Sequence, residues 1–259
     1  MNNTTNRATK SLVIIGDNFI AQSLYNDYKR YGKFRLNISK DISHVKYKVD
    51  YIIDCSFNER TQNMSLSYCR LNKLEKILLI NHWERKNLPK IDTIILQSVL
   101  YDVYGVDHNS FNRQGSGNNY DSDINYCTLI AETIRRVHEA KVGGVPLVYI
   151  PYGENKVRVI HIDHIYEPIN YMLTTMKKSS AYAVYEEEKY VSAVLNSVQK
   201  ILEYPGRIIF RNNNSIYSQH VNNLDFKTKR NSFDHSVRRI YKYLALNNPR
   251  FSVFGEYNS

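Results

Sequence analysis

The sequence predicts an α/β fold, a Rossmann-like doubly wound parallel sheet with a smaller C-terminal α/β lobe. Short, continuously apolar runs such as residues 11–16 (SLVIIG) and 77–80 (ILLI) are typical of buried parallel strands. Apolar residues at helical spacing follow the first run, at Ile20, Leu24 and Tyr28. Because buried strands alternate with helices in this way, a parallel sheet with right-handed crossovers is expected.

The remaining elements are predicted from the same two patterns, taken in chain order. The runs YIIDC and TIIL indicate further buried strands, and Pro168 fits the first turn of a helix. In order, we predict strand 11–16, helix 19–31, strands 34–38 and 51–55, helix 63–74, strands 77–80 and 93–96, helix 124–140, strands 146–150 and 158–162, helix 164–176, strand 182–185, helix 191–202, strand 207–210 and helix 233–246.

These elements suggest four regions along the chain. Residues 1–10 are polar and are expected to form a flexible tail, and residues 11–106 a trimmed Rossmann-like nucleotide-binding domain. Residues 107–123 are rich in Asn, Ser and Gly and indicate a long polar loop. Residues 124–259 hold short, mixed elements, which predicts a smaller substrate-type lobe interleaved with the first domain.

Composition excludes several classes of protein. Of 259 residues, 42% are hydrophobic and 23% charged, which is too apolar for a disordered chain. No apolar run approaches the ~20 residues of a membrane helix, and the N-terminus lacks a signal-peptide core, so a cytoplasmic protein without a membrane segment is expected. The three cysteines, Cys55, Cys69 and Cys127, are widely spaced and resemble reduced structural thiols.

The net charge of +10 fits either a nucleic-acid surface or an anionic cofactor site. Lysines and arginines are scattered, and the densest cluster, 227–230 with Arg238 and Arg239, is modest. Nucleic acid is therefore the less favoured partner. If it were bound, the affinity would fall steeply with salt.

Residues 16–21 (GDNFIA) occupy the place of a dinucleotide loop, G-x-G-x-x-G, between the first strand and helix. Only the first glycine is present; Asn18 tolerates a left-handed backbone, Ala21 allows close packing, and Asp17 opposes a phosphate. The loop is therefore either a weakened cofactor site or the turn of a fold that no longer binds a cofactor. The cofactor-binding candidates here are Gly16, Asn18, Phe19, Ile20 and Ala21.

The ends of the second and third strands supply four more cofactor-binding candidates. NAD enzymes usually place an acid after the second strand, but this chain has Ser39 and Lys40 there. A hydroxyl and a cation suit a 2′-phosphate, so the expected preference is NADP; ordinary loop polarity is the alternative. Cys55 and Ser56 end the third strand. Cys55 with His82 could form a thiol–imidazole pair, although a buried structural cysteine is the more common case.

Four segments together resemble the extended short-chain dehydrogenase/reductases, the nucleotide-sugar epimerase, dehydratase and reductase family. They are LVIIGDNFIA (12–21), DYIIDCS (50–56), IILQSVLYDVYG (94–105) and VPLVYIPYGENKVRVIHIDHIYEPI (145–169). The resemblance implies a bound NAD or NADP, a nucleotide-sugar substrate and often a homodimer. It also implies substrate-binding roles for Tyr104, Lys156 and Arg158.

The family's catalytic motif is not found at its usual place. The family has a Ser or Thr after the fourth central strand and a Tyr-x-x-x-Lys helix after that. Here residues 77–80 are followed by Asn81-His82-Trp83, and 81–92 is too short for the helix. Tyr-x-x-x-Lys occurs only elsewhere, at Tyr25 and Lys29, Tyr152 and Lys156, and Tyr185 and Lys189.

We therefore expect a catalytically degenerate member that binds a dinucleotide or nucleotide sugar, or that acts as a partner or regulatory subunit. The alternative is an active NAD(P)-dependent sugar-nucleotide epimerase or reductase with non-standard catalytic residues such as His82, Tyr101 or Tyr104. No metal is expected, because His161 and His164 have no third ligand at useful spacing.

Overall fold

The apolar runs form the strands of a parallel sheet in a computed structural model, which describes residues 9–82, 84–105, 129–150, 156–210, 221–224, 226 and 232–247. The helices are α1 (Phe19–Tyr31), α2 (Glu59–Asn72), α3 (Leu129–Val142), α4 (Tyr166–Thr175), α5 (Val191–Ile201) and α6 (Phe233–Asn247). The strands are β1 (Ser11–Ile15), β2 (Arg35–Ser39), β3 (Tyr51–Asp54), β4 (Lys76–Asn81), β5 (Ile94–Val99), β6 (Asp102–Tyr104), β7 (Leu147–Ile150), β8 (Lys156–His161), β9 (Ser180–Ala183), β10 (Glu187–Tyr190) and β11 (Arg207–Phe210).

The main sheet has six parallel strands in the order β2-β1-β3-β4-β5-β9. Strands β1, β3 and β4 are buried along their whole length, as the continuous apolar runs predict. The strand order reverses at β1, so the carboxyl ends of β1 and β3 flank the point where α/β sheets bind ligands. The predicted Rossmann-like α/β fold is confirmed.

The sheet ends at β2 within the described residues, so the outermost strand at this edge of the doubly wound order 3-2-1-4-5-6 has no counterpart there. Side chains protect this edge. Asn37 Oδ1 accepts a hydrogen bond from the Ile38 backbone N–H at 2.8 Å, and Asn37 Nδ2 donates to the Tyr47 hydroxyl. The Arg35 guanidinium lies over the Tyr47 ring. An edge that is capped and charged in this way resists pairing with another strand.

The chain divides into two compact units, and each is assembled from three segments. The first unit contains Met1–Leu100, Asp163–Val184 and Gln219–Phe226; the second contains Tyr101–Ile162, Tyr185–Ser218 and Lys227–Ser259. Strand β9 therefore comes from the later half of the chain and completes the sheet of the first unit. The predicted loop 107–123 lies outside the described residues, as do residues 1–8 of the predicted tail.

The second unit has two small sheets, β10-β8-β6 and β11-β7, with helices α3, α5 and α6. Its core is formed by branched side chains that include Ile134 and Val137 of α3, Val194 and Val198 of α5, and Val237 of α6. Strands β6 and β10 were not predicted. Strand β6 has three residues, and β10 (EEKY) lacks an apolar residue apart from Tyr190.

Candidate functional site

The turn between β1 and α1 requires the one glycine that it retains. Gly16 has φ +136°, and its N–H donates to the Ser39 carbonyl oxygen at 2.8 Å, which ties the turn to the end of β2. A Cβ at this position would lie 3.2 Å from the Cys55 carbonyl oxygen and 3.3 Å from Ala21 Cβ. Gly16 therefore allows both the unusual backbone and the close approach of three chain segments.

Asn18 caps the helix instead of providing a left-handed backbone. Its φ is −93°, so its backbone is extended, and the sequence argument from left-handed tolerance does not apply. Its Oδ1 accepts from the Ala21 N–H at 3.0 Å, and its Nδ2 donates to the Cys55 carbonyl oxygen at 2.5 Å. No hydrogen bond within the described chain involves the N–H groups of Phe19 and Ile20. Those two N–H groups are the ones left for an anion at this helix N-terminus.

The polar residues after β2 interact with the turn and with each other. Lys40 Nζ lies 3.6 Å from the Asp17 carboxylate, in an ion pair whose side chains are 77% and 55% exposed. The Ser39 hydroxyl donates to the Asp41 carbonyl oxygen at 2.8 Å. The two groups predicted to bind a 2′-phosphate thus already have partners in the chain.

A buried carboxylate orders the loop after β3. Asp54 is fully buried; its Oδ1 accepts from the N–H and hydroxyl of Ser56 at 2.9 and 2.6 Å, and its Oδ2 accepts from the Ser65 hydroxyl at 2.6 Å. Burial raises the pKa of this carboxyl despite those hydrogen bonds. The loop continues into Phe57, whose φ of +55° is unusual for a bulky residue.

Cys55 and His82 have different environments. Cys55 is fully buried, and burial raises the pKa of its thiol, so it does not form a reactive thiolate at neutral pH. His82 Nδ1 lies 2.6 Å from the Leu100 carbonyl oxygen, and the imidazole stacks on Phe57 with the ring centroids 4.8 Å apart. Burial lowers the pKa of His82, so its ring is neutral at pH 7, with Nδ1 as donor and Nε2 as acceptor.

The connection from β4 to β5 contains no helix in its described residues, 82 and 84–93. Side-chain amides hold it instead. The Arg85 N–H donates to Gln97 Oε1 at 2.8 Å, and Gln97 Nε2 donates to the Arg85 carbonyl oxygen at 3.1 Å. Gln62 Nε2 donates to Asn81 Oδ1 at 2.8 Å, and Gln62 Oε1 accepts from the Arg85 guanidinium at 3.3 Å. The amide side chains of this network are buried, and they satisfy backbone and side-chain groups of the connection.

A polar cavity of about 190 Å³ lies beside this network, lined by residues that include Phe57, Gln62, Asn81 and Arg85. Sequence reasoning missed Gln62, Arg85 and Gln97, because they follow no periodic or motif pattern and meet only through the folded sheet. The sequence singles out Asn81 because it stands where the family resembled has a catalytic hydroxyl, and His82 also as a possible partner of Cys55 and as a non-standard catalytic residue.

The nine predicted cofactor-binding residues lie at or after the carboxyl ends of β1, β2 and β3, which are neighbours in the sheet. Ile15 is in register with Ser39 on one side and with Asp54 on the other, so the carboxyl ends of the three strands lie side by side. The structure therefore brings the following predicted residues to one edge of the first unit: Gly16, Asn18, Phe19, Ile20, Ala21, Ser39, Lys40, Cys55 and Ser56.

Arg158, predicted to bind substrate, is surrounded by partners within the second unit. Its Nε donates to the Glu188 carboxylate at 2.8 Å, directly across the β8–β10 pair. Its guanidinium lies over the rings of Tyr101 and Tyr185, 5.1 and 4.9 Å from their centroids. The Glu188 carboxylate already neutralises the positive charge of Arg158 that would otherwise attract a phosphate.

The other two predicted substrate residues differ in exposure. Tyr104 is 2% exposed and packs against His161 and Phe233, and burial raises its pKa. These contacts favour a packing role. Lys156 is exposed, with its ammonium 5.3 Å from the centroid of the Tyr190 ring.

The Tyr-x-x-x-Lys matches lie outside the β4–β5 connection. Tyr25 and Lys29 are on α1, whereas Lys189 belongs to strand β10, so Tyr185 and Lys189 are not one helical turn apart. Tyr152 and Trp83 lie outside the described residues. Across the described ranges, no three His, Cys, Asp or Glu side chains form a metal-binding group, and no helix is both long and apolar enough to cross a membrane.

Comparisons with known proteins identify the fold through structure alone. No protein-family model matches the sequence, and no curated protein matches it significantly. Among solved structures, a GDP-6-OMe-4-keto-L-xylo-heptose reductase from Campylobacter jejuni is similar with a TM-score of 0.65 at 12% identity, over 93% of this chain and 99% of that one.

Two further solved structures are similar to this chain over most of its length. A GDP-L-fucose synthetase from Naegleria fowleri bound to NADP has a TM-score of 0.65 at 11% identity, over 92% of this chain and 94% of that one. A UDP-N-acetylglucosamine 4-epimerase from Methanobrevibacter ruminantium, in complex with UDP-N-acetylmuramic acid, has a TM-score of 0.61 at 13% identity, over 92% and 98%. The chain therefore has the fold of nucleotide-sugar reductases and epimerases of the extended short-chain dehydrogenase/reductase type.

Proposed function

We propose that this protein binds a nicotinamide dinucleotide or a nucleotide sugar at the carboxyl edge of its main sheet, without the tyrosine–lysine chemistry of the family it resembles. The observation that carries the missing chemistry is that the described residues of the connection between β4 and β5 form no helix. Such a protein acts as a binding, partner or regulatory subunit in place of an enzyme.

The physical argument concerns the spacing of the two catalytic groups. A tyrosine and a lysine four residues apart lie one turn apart on the same face of a helix, close enough for the lysine to lower the pKa of the tyrosine. In a strand the same two residues also share a face but are about 13 Å apart. The connection between β4 and β5 has no helix in its described residues to carry such a pair. The Tyr25 and Lys29 pair is on α1, between β1 and β2, and so occupies another crossover.

Binding, in contrast, has support in the turn between β1 and α1. Gly16 permits the close approach of the turn to β3, and Phe19 and Ile20 present N–H groups at the N-terminus of α1. The NADP bound by the Naegleria fowleri synthetase and the UDP-N-acetylmuramic acid bound by the Methanobrevibacter ruminantium epimerase show which ligands this fold accommodates in other proteins.

The test is calorimetric titration of NAD, NADH, NADP and NADPH into the protein and into two variants of Phe19. Phe19→Pro removes the N–H at the first helical position, where proline is well tolerated, and Phe19→Ala removes the ring but keeps the N–H. We expect Phe19→Pro to bind at least about tenfold more weakly than Phe19→Ala, at similar thermal stability, because only the first loses a charge-assisted donor.

Two results would contradict the proposal. Equal affinities of the two variants would remove the helix N-terminus from the site. If neither a dinucleotide nor a nucleotide sugar bound at millimolar concentration, the sheet would be a scaffold, and the protein's role would be to bind another protein.

An active enzyme with non-standard residues is the second candidate, and His82 favours it. The Leu100 carbonyl fixes the tautomer, Phe57 fixes the ring plane, and burial lowers the pKa of the imidazole, which together suit a proton acceptor. Turnover of a nucleotide sugar with NADH or NADPH, abolished in His82→Gln, would establish this candidate and overturn the first.

A further inference from the structure

The contact between Asp17 and Lys40 carries a consequence for cofactor choice. We infer that Asp17 makes this site select a dinucleotide without a 2′-phosphate, NAD or NADH, over NADP or NADPH. This inference rests on the proposed binding of a dinucleotide, and it is opposite to the preference that Ser39 and Lys40 predict from sequence.

The position of Asp17 follows from the geometry of the turn. Asp17 comes directly after Gly16, whose N–H is bonded to the Ser39 carbonyl oxygen, and Lys40 comes directly after Ser39. That hydrogen bond holds the two segments together, so the Asp17 carboxylate and the Lys40 ammonium face each other at 3.6 Å. A carboxylate therefore lies at the end of β2, although it belongs to the turn after β1.

The end of β2 is where dinucleotide-binding sheets distinguish the two cofactors. An acid there accepts hydrogen bonds from the ribose hydroxyls of NAD, and a cation there accommodates the 2′-phosphate of NADP. Asp17 supplies the acid from an unusual place in the chain. The ammonium that would accommodate a phosphate, that of Lys40, is the same group that Asp17 neutralises.

The other polar side chains at this strand end are engaged elsewhere. The Ser39 hydroxyl donates to the Asp41 carbonyl oxygen. The Asp41 carboxylate accepts hydrogen bonds from the N–H and the hydroxyl of Ser43 and lies near His44. Asp17 is thus the carboxylate directed at Lys40, and a 2′-phosphate bound to Lys40 would lie next to it.

The strength of the exposed ion pair is not what decides selectivity. Exposed pairs contribute little to stability, so a ligand displaces Lys40 from Asp17 at small cost. The deciding effect is repulsion between the carboxylate and a phosphate that carries between one and two negative charges. A ribose diol meets no such repulsion and donates hydrogen bonds to the same carboxylate.

The experiment measures NADH and NADPH affinities for the parent protein, Asp17→Asn, Lys40→Ala and the control Asp92→Asn. Asp92 is exposed at the amino end of β5, the opposite edge of the sheet, and its substitution changes the net charge equally. We expect the parent to prefer NADH by about tenfold, Asp17→Asn to lose that preference mainly by binding NADPH more tightly, and Asp92→Asn to match the parent. Lys40→Ala should weaken NADPH further and change NADH little.

Several outcomes would overturn the inference. A parent protein that binds NADPH more tightly than NADH would contradict it. So would an Asp17→Asn variant whose ratio of NADH affinity to NADPH affinity equals that of the parent. In both cases the proposed dinucleotide binding would stand. If neither cofactor bound to the parent or to Asp17→Asn at millimolar concentration, dinucleotide binding itself would fail, and the inference with it.

Discussion

The main sheet connects its parallel strands in two different ways. From β1 to β2 the chain passes through α1, which buries Ile20, Ala21, Leu24 and Tyr28. From β4 to β5 it passes through a connection that has no helix in its described residues and whose backbone at Arg85 is hydrogen-bonded to the Gln97 side chain.

The difference shows what a crossover helix supplies to a sheet. A helix satisfies its own backbone hydrogen bonds, so it covers a sheet with apolar side chains alone. A shorter connection needs partners for its backbone, and here Gln97, with Gln62 and Asn81 beside it, provides buried amides on that face. The sheet thus keeps β4 and β5 side by side with no helix in the described residues that connect them.

The largest loss of stability is expected from a substitution in the connection between β1 and β2. Gly16→Ala should lower the free energy of unfolding by about 3 kcal/mol, because alanine is strained at φ +136° and its Cβ would approach the Cys55 carbonyl. Gly32→Ala, at φ +60° with open space around it, should cost about 1 kcal/mol. Urea unfolding measures both, and equal losses would show that the close approach does not matter.

A substitution that removes the hydrogen bonds of the connection between β4 and β5 should cost less stability. Gln97→Leu leaves the N–H and carbonyl of Arg85 without their partners, and we expect a loss of about 2 kcal/mol in the free energy of unfolding. Gln22→Leu, on the exposed face of α1, serves as the control and should change stability by less than about 0.5 kcal/mol. A Gln97→Leu protein as stable as this control would refute the role of the amides.

The smallest effect is the pH dependence of stability that His82, in the connection between β4 and β5, contributes. The pKa of His82 is lowered by burial, so protonation is disfavoured in the folded state, and stability should fall as pH decreases through about 6.5, where the unfolded imidazole takes up a proton. His82→Gln should remove part of the loss between pH 7.5 and 5.5, less than about 1 kcal/mol. His138, whose pKa is also lowered, adds a loss of the same sign. An unchanged loss in His82→Gln would contradict the assignment.

Most of the fold could be predicted because buried strands and amphipathic helices leave local patterns. The exceptions have physical reasons. Strand β10 is an exposed, charged strand that pairs with β8, so no apolar run marks it. Helix α2 begins at Glu59, four residues before its prediction, because Asn58 caps it by accepting from the Thr61 N–H at 3.1 Å.

The candidate site was predictable only where it is contiguous in the chain. Gly16 and Asn18 stand out because they occupy positions of a known loop pattern. The sequence marked Asp17 as unfavourable for phosphate and Lys40 as favourable, but their contact arises only from the adjacency of β1 and β2. Arg85 and Gln97 meet across a folded sheet and leave no local signal.

Strand β9 is synthesised long after β5, the strand with which it pairs, and this delay affects folding during translation. Its four residues pair with Leu96–Val99, yet they are synthesised some eighty residues later, after the whole of the second unit's first segment. Throughout that interval the apolar outer edge of β5 is exposed on the nascent chain, and an unpaired edge of this kind recruits other strands. A translation product stopped near residue 100 would keep five of the six strands and carry that unpaired edge permanently, so it is a substrate for chaperones or aggregation.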